Sequence, residues 1–240
     1  SKSENKSTPD WSDCSVAKSH KLTFQLTNKT LKTPLSLINS NVWGPFASSS
    51  GYKYYVLFVD DFSRFTWLYP LAYKSEVCAK FMEFKAYVEN QFATTLHILR
   101  TDGGSEYFSS KMQTYLTTHG ILHQHSCPYT PSQNGIAEWK HRHITETATA
   151  LLHHFSVPLH YWFDAIAIAT FLINRLPSSN LTHKSPFEVL FNSIPDFSFF
   201  KTFGCQCFPW LKPYQSTKLQ PKSIACVFLG YHPFAKGYRC

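Results

Sequence analysis

The sequence has no apolar run that approaches the roughly 20 residues needed for a membrane-spanning helix, so we expect no membrane partner. Its first ten residues are polar, and we therefore expect no secretory leader. Acidic residues are scarce, because 15 acids stand against 23 lysines and arginines, for a net charge of +8. This balance favours an acidic partner, most commonly nucleic acid, although many basic surfaces are merely solvated.

The cysteines give no sign of a disulfide framework. Their number is odd, at seven, and their spacing is irregular, which is typical of the reduced thiols of an intracellular protein. Cys205, Cys207 and Cys226 do not have the spacing of common zinc sites. Strand alternation would put Cys205 and Cys207 on one face, so we favour buried thiols over a metal site.

The composition is that of a globular chain. Hydrophobic residues make up 43% and charged residues 16% of 240 residues, enough for one large domain or a domain with a small appendage. The organisation has three parts and no internal repeat. Residues 1–30 are a polar arm, 31–178 an α/β region, and 179–240 a linker and a small β-rich module.

The α/β region contains five predicted strands. Two apolar-aromatic runs, at 54–59 and 64–71, flank the break "DDFS", which suits a hairpin. With the run before Trp43, they predict a three-stranded antiparallel meander. The segments "LHILR" and "ILHQH" are the fourth and fifth strands.

Helices are predicted between and after these strands. Apolar residues recur at helical spacing from Val77 to Phe92, with Ser75 as the predicted N-cap. Shorter helices are predicted at 110–118 and 160–174. A long helix should begin at "TPSQNG", because Thr130 and Gln133 form a capping-box pattern and Pro131 suits the first helical position.

Asp102 ends an apolar strand in the stretch "ILRTDGGSEYF". An Asp-Gly dipeptide is a common turn, and that interpretation needs no further role for the carboxylate. The alternative is a metal ligand at the carboxyl end of a strand, where open α/β sheets place their sites.

Glu138 lies in the first turns of the long helix, on the face opposite its apolar stripe. A first-turn glutamate is usually a surface acid favoured by the helix dipole. Here it is followed by cationic residues in "EWKHRH", which could keep the carboxylate ionised for a divalent metal and could neutralise phosphates. The alternative is a solvated basic face.

The spacing of these acids is similar to a known pattern. Asp102 and Glu138 have 35 residues between them, which resembles the D,D-35-E arrangement of retroviral and retrotransposon integrases. The blocks "GYKYYVLFVDDFSRFTWLYPLAYKSEV", "CPYTPSQNGIAE" and "FGCQCF…ACVFLGY" look like the integrase region of copia-type retrotransposon polyproteins. The resemblance covers residues 11–240.

The resemblance implies an RNase H-like fold, a mixed five-stranded sheet flanked by helices, with residues 31–178 as the catalytic core. It implies that Asp102 and Glu138 bind two Mg²⁺ or Mn²⁺ ions for DNA 3′-end processing and strand transfer. It also implies DNA ends and target DNA as partners, homo-oligomers, and an intracellular location in the nucleus or a cytoplasmic virus-like particle. The predicted DNA-binding residues are Gln133, Asn134, Lys140, Arg142 and His143.

The first acid of the pattern is missing. The family stretch "HSDVWGP" is similar to "NSNVWGP" here, so Asn41 takes the place of the aspartate. Asp60 and Asp61 match a turn of the family instead. An amide keeps one carbonyl acceptor but lacks the charge, so we expect a crippled site. The alternative is that a single ion still binds.

Other departures point to a degenerate copy. Cys14 matches the second cysteine of the family's zinc module, whereas Trp11 replaces the first and the histidine pair is absent. Zinc needs about four ligands, so we expect none in this chain. Trp139, His141, Thr149 and the "GGSE" after Asp102 also differ from the family's usual residues.

Two functions from different classes remain. One is an integrase core, an enzyme by descent and impaired by Asn41. The other is a non-catalytic nucleic-acid-binding or assembly module that keeps the fold and the basic face.

Overall fold

The five predicted strands form one mixed sheet in the computed structural model, which describes residues 33–126, 134–211, 221–231 and 237–240. In chain order they are β1 (Leu37–Trp43), β2 (Tyr54–Asp60), β3 (Thr66–Leu71), β4 (Ile98–Thr101) and β5 (Leu122–His125). The spatial order is β3-β2-β1-β4-β5. The predicted meander is confirmed, since β1, β2 and β3 are antiparallel, while β4 and β5 run parallel to β1.

Five α-helices accompany the sheet in the described part of the chain. They are α1 (Val77–Phe92), α2 (Ser110–Thr118), α3 (Gly135–His154), α4 (Trp162–Arg175) and α5 (Pro186–Phe191). Helices α1, α2 and α5 contribute to the apolar cluster on one face of the sheet, and α3 and α4 to the cluster on the other. Strand β2 serves both clusters, because Val56 and Phe58 point one way while Tyr55 and Leu57 point the other.

Two predictions about helix starts have different outcomes. Ser75 is not the N-cap of α1, because it lies inside a short 3₁₀ turn, Lys74–Glu76. Glu76 is the N-cap residue of α1. Its carboxylate accepts hydrogen bonds from the Ala72 and Tyr73 N–H groups, before the 3₁₀ turn, at 2.7 and 3.2 Å. The predicted capping box of Thr130 and Gln133 lies outside the described residues.

The small β-rich module is confirmed. It contains β6 (Gln206–Cys207) paired with β7 (Cys226–Val227), and β8 (Gly230–Tyr231) paired with β9 (Tyr238–Arg239). Phe228 packs in the same cluster as α3 and α4, and Arg239 forms a 3.0 Å ion pair with Asp164 of α4. The described residues therefore belong to one compact unit, and the predicted boundary at 178–179 stays a prediction.

Some predicted features have no described counterpart. The polar arm, with Trp11 and Cys14, lies outside the described residues. Among the helices that the structure describes, none combines the length and apolar character needed to cross a bilayer.

Candidate functional site

Asn41 lies within β1, next to the end of β4, which Asp102 directly follows. In the parallel pair β1–β4, Ser40 lies opposite Thr101, the last residue of β4. One step further along this register sets Asn41 beside Asp102. The parallel pairing of β1 and β4 is therefore what brings together two residues that are far apart in sequence.

The side chain of Asn41 is directed to the α3 face of the sheet. Ser40 points the other way, since its hydroxyl lies 2.6 Å from that of Tyr107 in the cluster under α1. Asn41 alternates with Ser40, and its cross-strand partner Leu57 packs in the α3–α4 cluster. Glu138, in the first turn of α3, lies over this same face.

Asp102 and Glu138 are close enough to influence each other's charge. Burial raises the pKa of Glu138, and the negative charge of Asp102 raises it further, while Arg142 opposes the shift. Burial also raises the pKa of Asp102, against a hydrogen bond from the Gly104 N–H at 3.1 Å. The charge of Asp102 raises the pKa of Glu138 because the repulsion between the two carboxylates is not fully cancelled by a nearby cation.

A third carboxylate lies next to Asp102. Glu106, in the 3₁₀ turn Ser105–Phe108, adds its charge to the forces that raise the pKa of Asp102. Its Oε1 is 3.6 Å from Lys74 Nζ, and its carboxyl atoms would lie 2.9 Å from a Cβ at Gly104. Glycine at 104 thus leaves room for Glu106, to which the sequence analysis gave no role.

The two interpretations of Asp102 are compatible. Its Oδ1 accepts the Gly104 N–H, which is the turn that the Asp-Gly dipeptide predicts, while its negative charge acts on Glu138. Within the residues that the structure describes, no three His, Cys, Asp or Glu side chains are grouped so as to hold a metal ion. The assignment of Asn41, Asp102 and Glu138 to the family's metal-binding positions stays a prediction.

Two of the predicted DNA-binding residues are buried. Asn134 is 0% exposed, and its Nδ2 donates a 3.1 Å hydrogen bond to the Ser40 carbonyl. Lys140 is 4% exposed, and burial together with the charge of Arg64 lowers its pKa to about 8. Neither placement suits a phosphate contact, so for these two residues the prediction is wrong.

Helical periodicity explains the position of Lys140. It falls on the stripe of α3 that faces the sheet, between Ala137 and Ile144, both fully buried. The sequence analysis assigned this stripe from its apolar residues alone and left Lys140 out because it is charged.

The other predicted contacts remain at the surface. Arg142 is exposed, and His143 is half-buried with a pKa lowered by burial. Trp139 is 50% exposed beside Glu138, with its ring centroid 5.3 Å from that of His143. Gln133 lies outside the described residues.

An aromatic cluster under the start of α3 was not predicted. The His141 ring lies 5.8 Å from the rings of both Trp43 and Tyr55, and Trp43 also contacts Trp162 of α4. These contacts fix the first turns of α3 on β1 and β2, and with them the position of Glu138. Alternation along β1 and β2 could have placed Trp43 and Tyr55 on that face.

Asp60 and Asp61 are hairpin residues, as predicted. Asp60 is fully buried and accepts hydrogen bonds from the Leu35 N–H and from the N–H and hydroxyl of Ser63. Asp61 accepts from the Asn39 side chain at 3.1 Å and pairs with Arg64 at 3.5 Å. Both carboxylates are engaged in holding the turn between β2 and β3.

Comparison with known proteins adds two domain families and several relatives. The integrase core domain matches residues 33–131, and the retroviral polymerase SH3-like domain matches residues 205–240. The chain is 47% identical over 230 residues to the retrovirus-related Pol polyprotein from transposon RE2 of Arabidopsis thaliana. It is 39% identical over 228 residues to the corresponding polyprotein from transposon TNT 1-94 of Nicotiana tabacum. These alignments cover 95% and 94% of this chain, which spans only 16% and 17% of the relatives' length.

Among solved structures, the chain is similar to one in the cryoEM structure of the simian T-cell lymphotropic virus intasome in complex with the PP2A regulatory subunit B56 gamma. The TM-score is 0.54 at 17% identity, over 83% of this chain and 70% of that chain. This likeness concerns the fold, and it confirms the predicted RNase H-like architecture. The chain therefore carries an integrase core domain and is similar to one segment of retrotransposon Pol polyproteins.

Proposed function

We propose that this chain is a retrotransposon integrase core that binds DNA but has lost most or all of its polynucleotidyl transfer activity. The observation that carries the proposal is the amide of Asn41 at the strand end beside Asp102, on the face that Glu138 covers. This is where the family pattern places its first carboxylate.

The residues present fit a divalent metal, though with a weakened hold. Asp102 and Glu138 offer carboxylate oxygens, the donors that Mg²⁺ and Mn²⁺ prefer, and a bound cation would favour the charged form of each carboxyl, which burial disfavours. Asn41 can add only a neutral carbonyl oxygen. A divalent ion held there would polarise a phosphodiester and lower the pKa of an attacking water.

The loss of one negative charge is sufficient to explain an inactive site. Coulomb energies between charges about 4 Å apart reach several kcal/mol, even at an effective dielectric near 20. A loss of about 4 kcal/mol in transition-state stabilisation slows a reaction roughly a thousandfold. Asp102 and Glu138 can still orient substrate, but with less charge to hold two dications near each other.

DNA is the proposed partner, together with other copies of this chain. The net charge of +8 attracts phosphates, and Arg142 is an exposed cation one turn after Glu138. A non-catalytic DNA-binding or assembly module is the second candidate, favoured by the lack of a three-ligand group among the described residues. The expected location in the nucleus or in a virus-like particle belongs to the same proposal.

The test compares three proteins in Mn²⁺-dependent nicking of labelled duplex DNA. They are the chain as it stands, Asn41→Asp, and Asn41→Asp combined with Glu138→Gln. We expect Asn41→Asp to nick at least about 100-fold faster than the unchanged chain, and the double variant to fall back to background. Equal nicking rates above background for the unchanged chain and Asn41→Asp would contradict the assignment of Asn41.

DNA affinity separates the two candidates in the same experiment. All three proteins should bind the duplex equally at low salt. If Asn41→Asp binds DNA and manganese but still does not nick, the non-catalytic module is the better description.

A further inference from the structure

Two thiols meet in the C-terminal β-rich module. The Sγ atoms of Cys207, at the end of β6, and Cys240, directly after β9, are 3.0 Å apart across 33 residues of sequence. Cys240 is exposed and Cys207 is half-buried, so solutes in water can reach the pair.

These thiols are not the buried cysteines that the sequence analysis expected. Cys205, Cys207 and Cys226 are all half-buried, and that prediction is wrong because the module has two-residue strands with little core of its own. Cys226 lies opposite Cys207 in the β6–β7 pair and is the nearest competitor for the same bond. Cys240 was not considered from the sequence, since no pattern linked it to the others.

The distance suits a disulfide better than a shared metal. Two sulfurs on one tetrahedral zinc, each about 2.3 Å from the ion, lie roughly 3.8 Å apart. Closing a 3.0 Å contact to the S–S bond length of about 2.05 Å needs a movement of only about 1 Å.

We infer that Cys207 and Cys240 form a reversible disulfide by exchange with a small disulfide of the glutathione type. One protein thiolate attacks the small disulfide, forms a mixed disulfide and releases one small thiol. The second protein thiolate attacks the protein sulfur of the mixed disulfide and releases the other small thiol. The two cysteines are thus oxidised by two electrons, and one small disulfide is reduced to two thiols.

The bond would join two sheets that share no strand. It would tie β6 to the segment after β9, next to Arg239, which is paired with Asp164 of α4. Burial and the nearby Cys240 raise the pKa of Cys207 to about 11, so little of the Cys207 thiol is ionised at neutral pH.

The test is thiol mapping of the whole chain in buffers with graded ratios of reduced to oxidised glutathione. Each sample is quenched with acid, alkylated, digested with chymotrypsin and sequenced by mass spectrometry. We expect the fragments with Cys207 and Cys240 to appear joined, with the loss of two hydrogens, at ratios where the other five cysteines are still alkylated.

Two variants serve as controls. Cys205→Ser removes the neighbouring thiol from the same fragment and should leave the bond unchanged, while Cys207→Ser should abolish it. The mapping is made first on the unchanged chain, so the main result does not depend on whether a variant folds. The inference would be overturned by a dominant Cys207–Cys226 bond, by glutathione adducts alone, or by no bond in oxidised glutathione. A stoichiometric soft metal on the pair would also overturn it. The test does not depend on any retained integrase activity.

Discussion

At the scale of single residues, Lys140 shows most clearly how packing overrides expectation. A lysine in "EWKHRH" was predicted to face phosphates because a cation there could neutralise them. The helical period nevertheless puts it on the stripe that faces the sheet, where its pKa falls to about 8. The helical period of the sequence fixes the direction of such a side chain. The free-energy cost of burying its charge depends on all the residues packed around it.

We predict that Lys140→Met stabilises the protein at pH 7 by about 1–3 kcal/mol. Below pH 8 the amine is charged in both the folded and the unfolded state, so burial penalises the folded state in full. The penalty fades as pH rises from about 8 towards the ordinary value of 10.5, and the advantage of methionine should fade with it. Urea unfolding at pH 7 and pH 10 measures this, with exposed Arg142→Met as the control. A stability difference that does not change with pH would contradict the burial of the charge.

At the scale of elements, the start of α3 is held by one hydrogen bond that no pattern indicated. Asn134 precedes the helix without a side-chain cap bond, and its amide instead reaches the Ser40 carbonyl on β1. The strands and helices themselves could be predicted, because alternation and helical spacing are local properties. The contact between α3 and β1 could not, since it joins residues that are 94 positions apart.

We predict that Asn134→Ala costs about 1–2 kcal/mol in the free energy of unfolding, because it removes a buried hydrogen bond to the Ser40 carbonyl. Asn180→Ala, at an exposed asparagine, is the control and should change stability by less than about 0.5 kcal/mol. Denaturant titration gives both values. If the two variants unfold at the same urea concentration, Asn134 does not anchor the helix.

At the scale of the whole molecule, the order of the sheet follows from a family resemblance and not from local pattern. Five strands and their helices are compatible with many topologies, and the long matched blocks of sequence selected the RNase H-like one. The resemblance also indicated Asn41, because "NSNVWGP" is similar to the family stretch that carries the first acid. It could not indicate the Cys207–Cys240 contact, which depends on how two short hairpins pack.

We predict salt-dependent DNA binding that uses the exposed cations and not the buried one. The affinity for a duplex should fall at least about tenfold between 50 and 200 mM salt, because phosphate contacts release counterions. Arg142→Ala should weaken binding and reduce the salt slope by about 1, whereas Lys140→Met should leave both unchanged. Fluorescence anisotropy across the salt range measures this. A larger loss from Lys140→Met than from Arg142→Ala would contradict the described surface.

The central claim is that Asn41 occupies the position of a lost metal-binding acid beside Asp102 and Glu138. Calorimetric titration with Mn²⁺ tests it most directly, because metal binding needs neither DNA nor oligomer assembly. We predict that Asn41→Asp binds Mn²⁺ at least about tenfold more tightly than the unchanged chain, through an added anionic ligand in the same shell. Adding Asp102→Asn to that variant should remove the gain. Equal affinity and stoichiometry for the unchanged chain and Asn41→Asp would show that residue 41 lies outside the metal site.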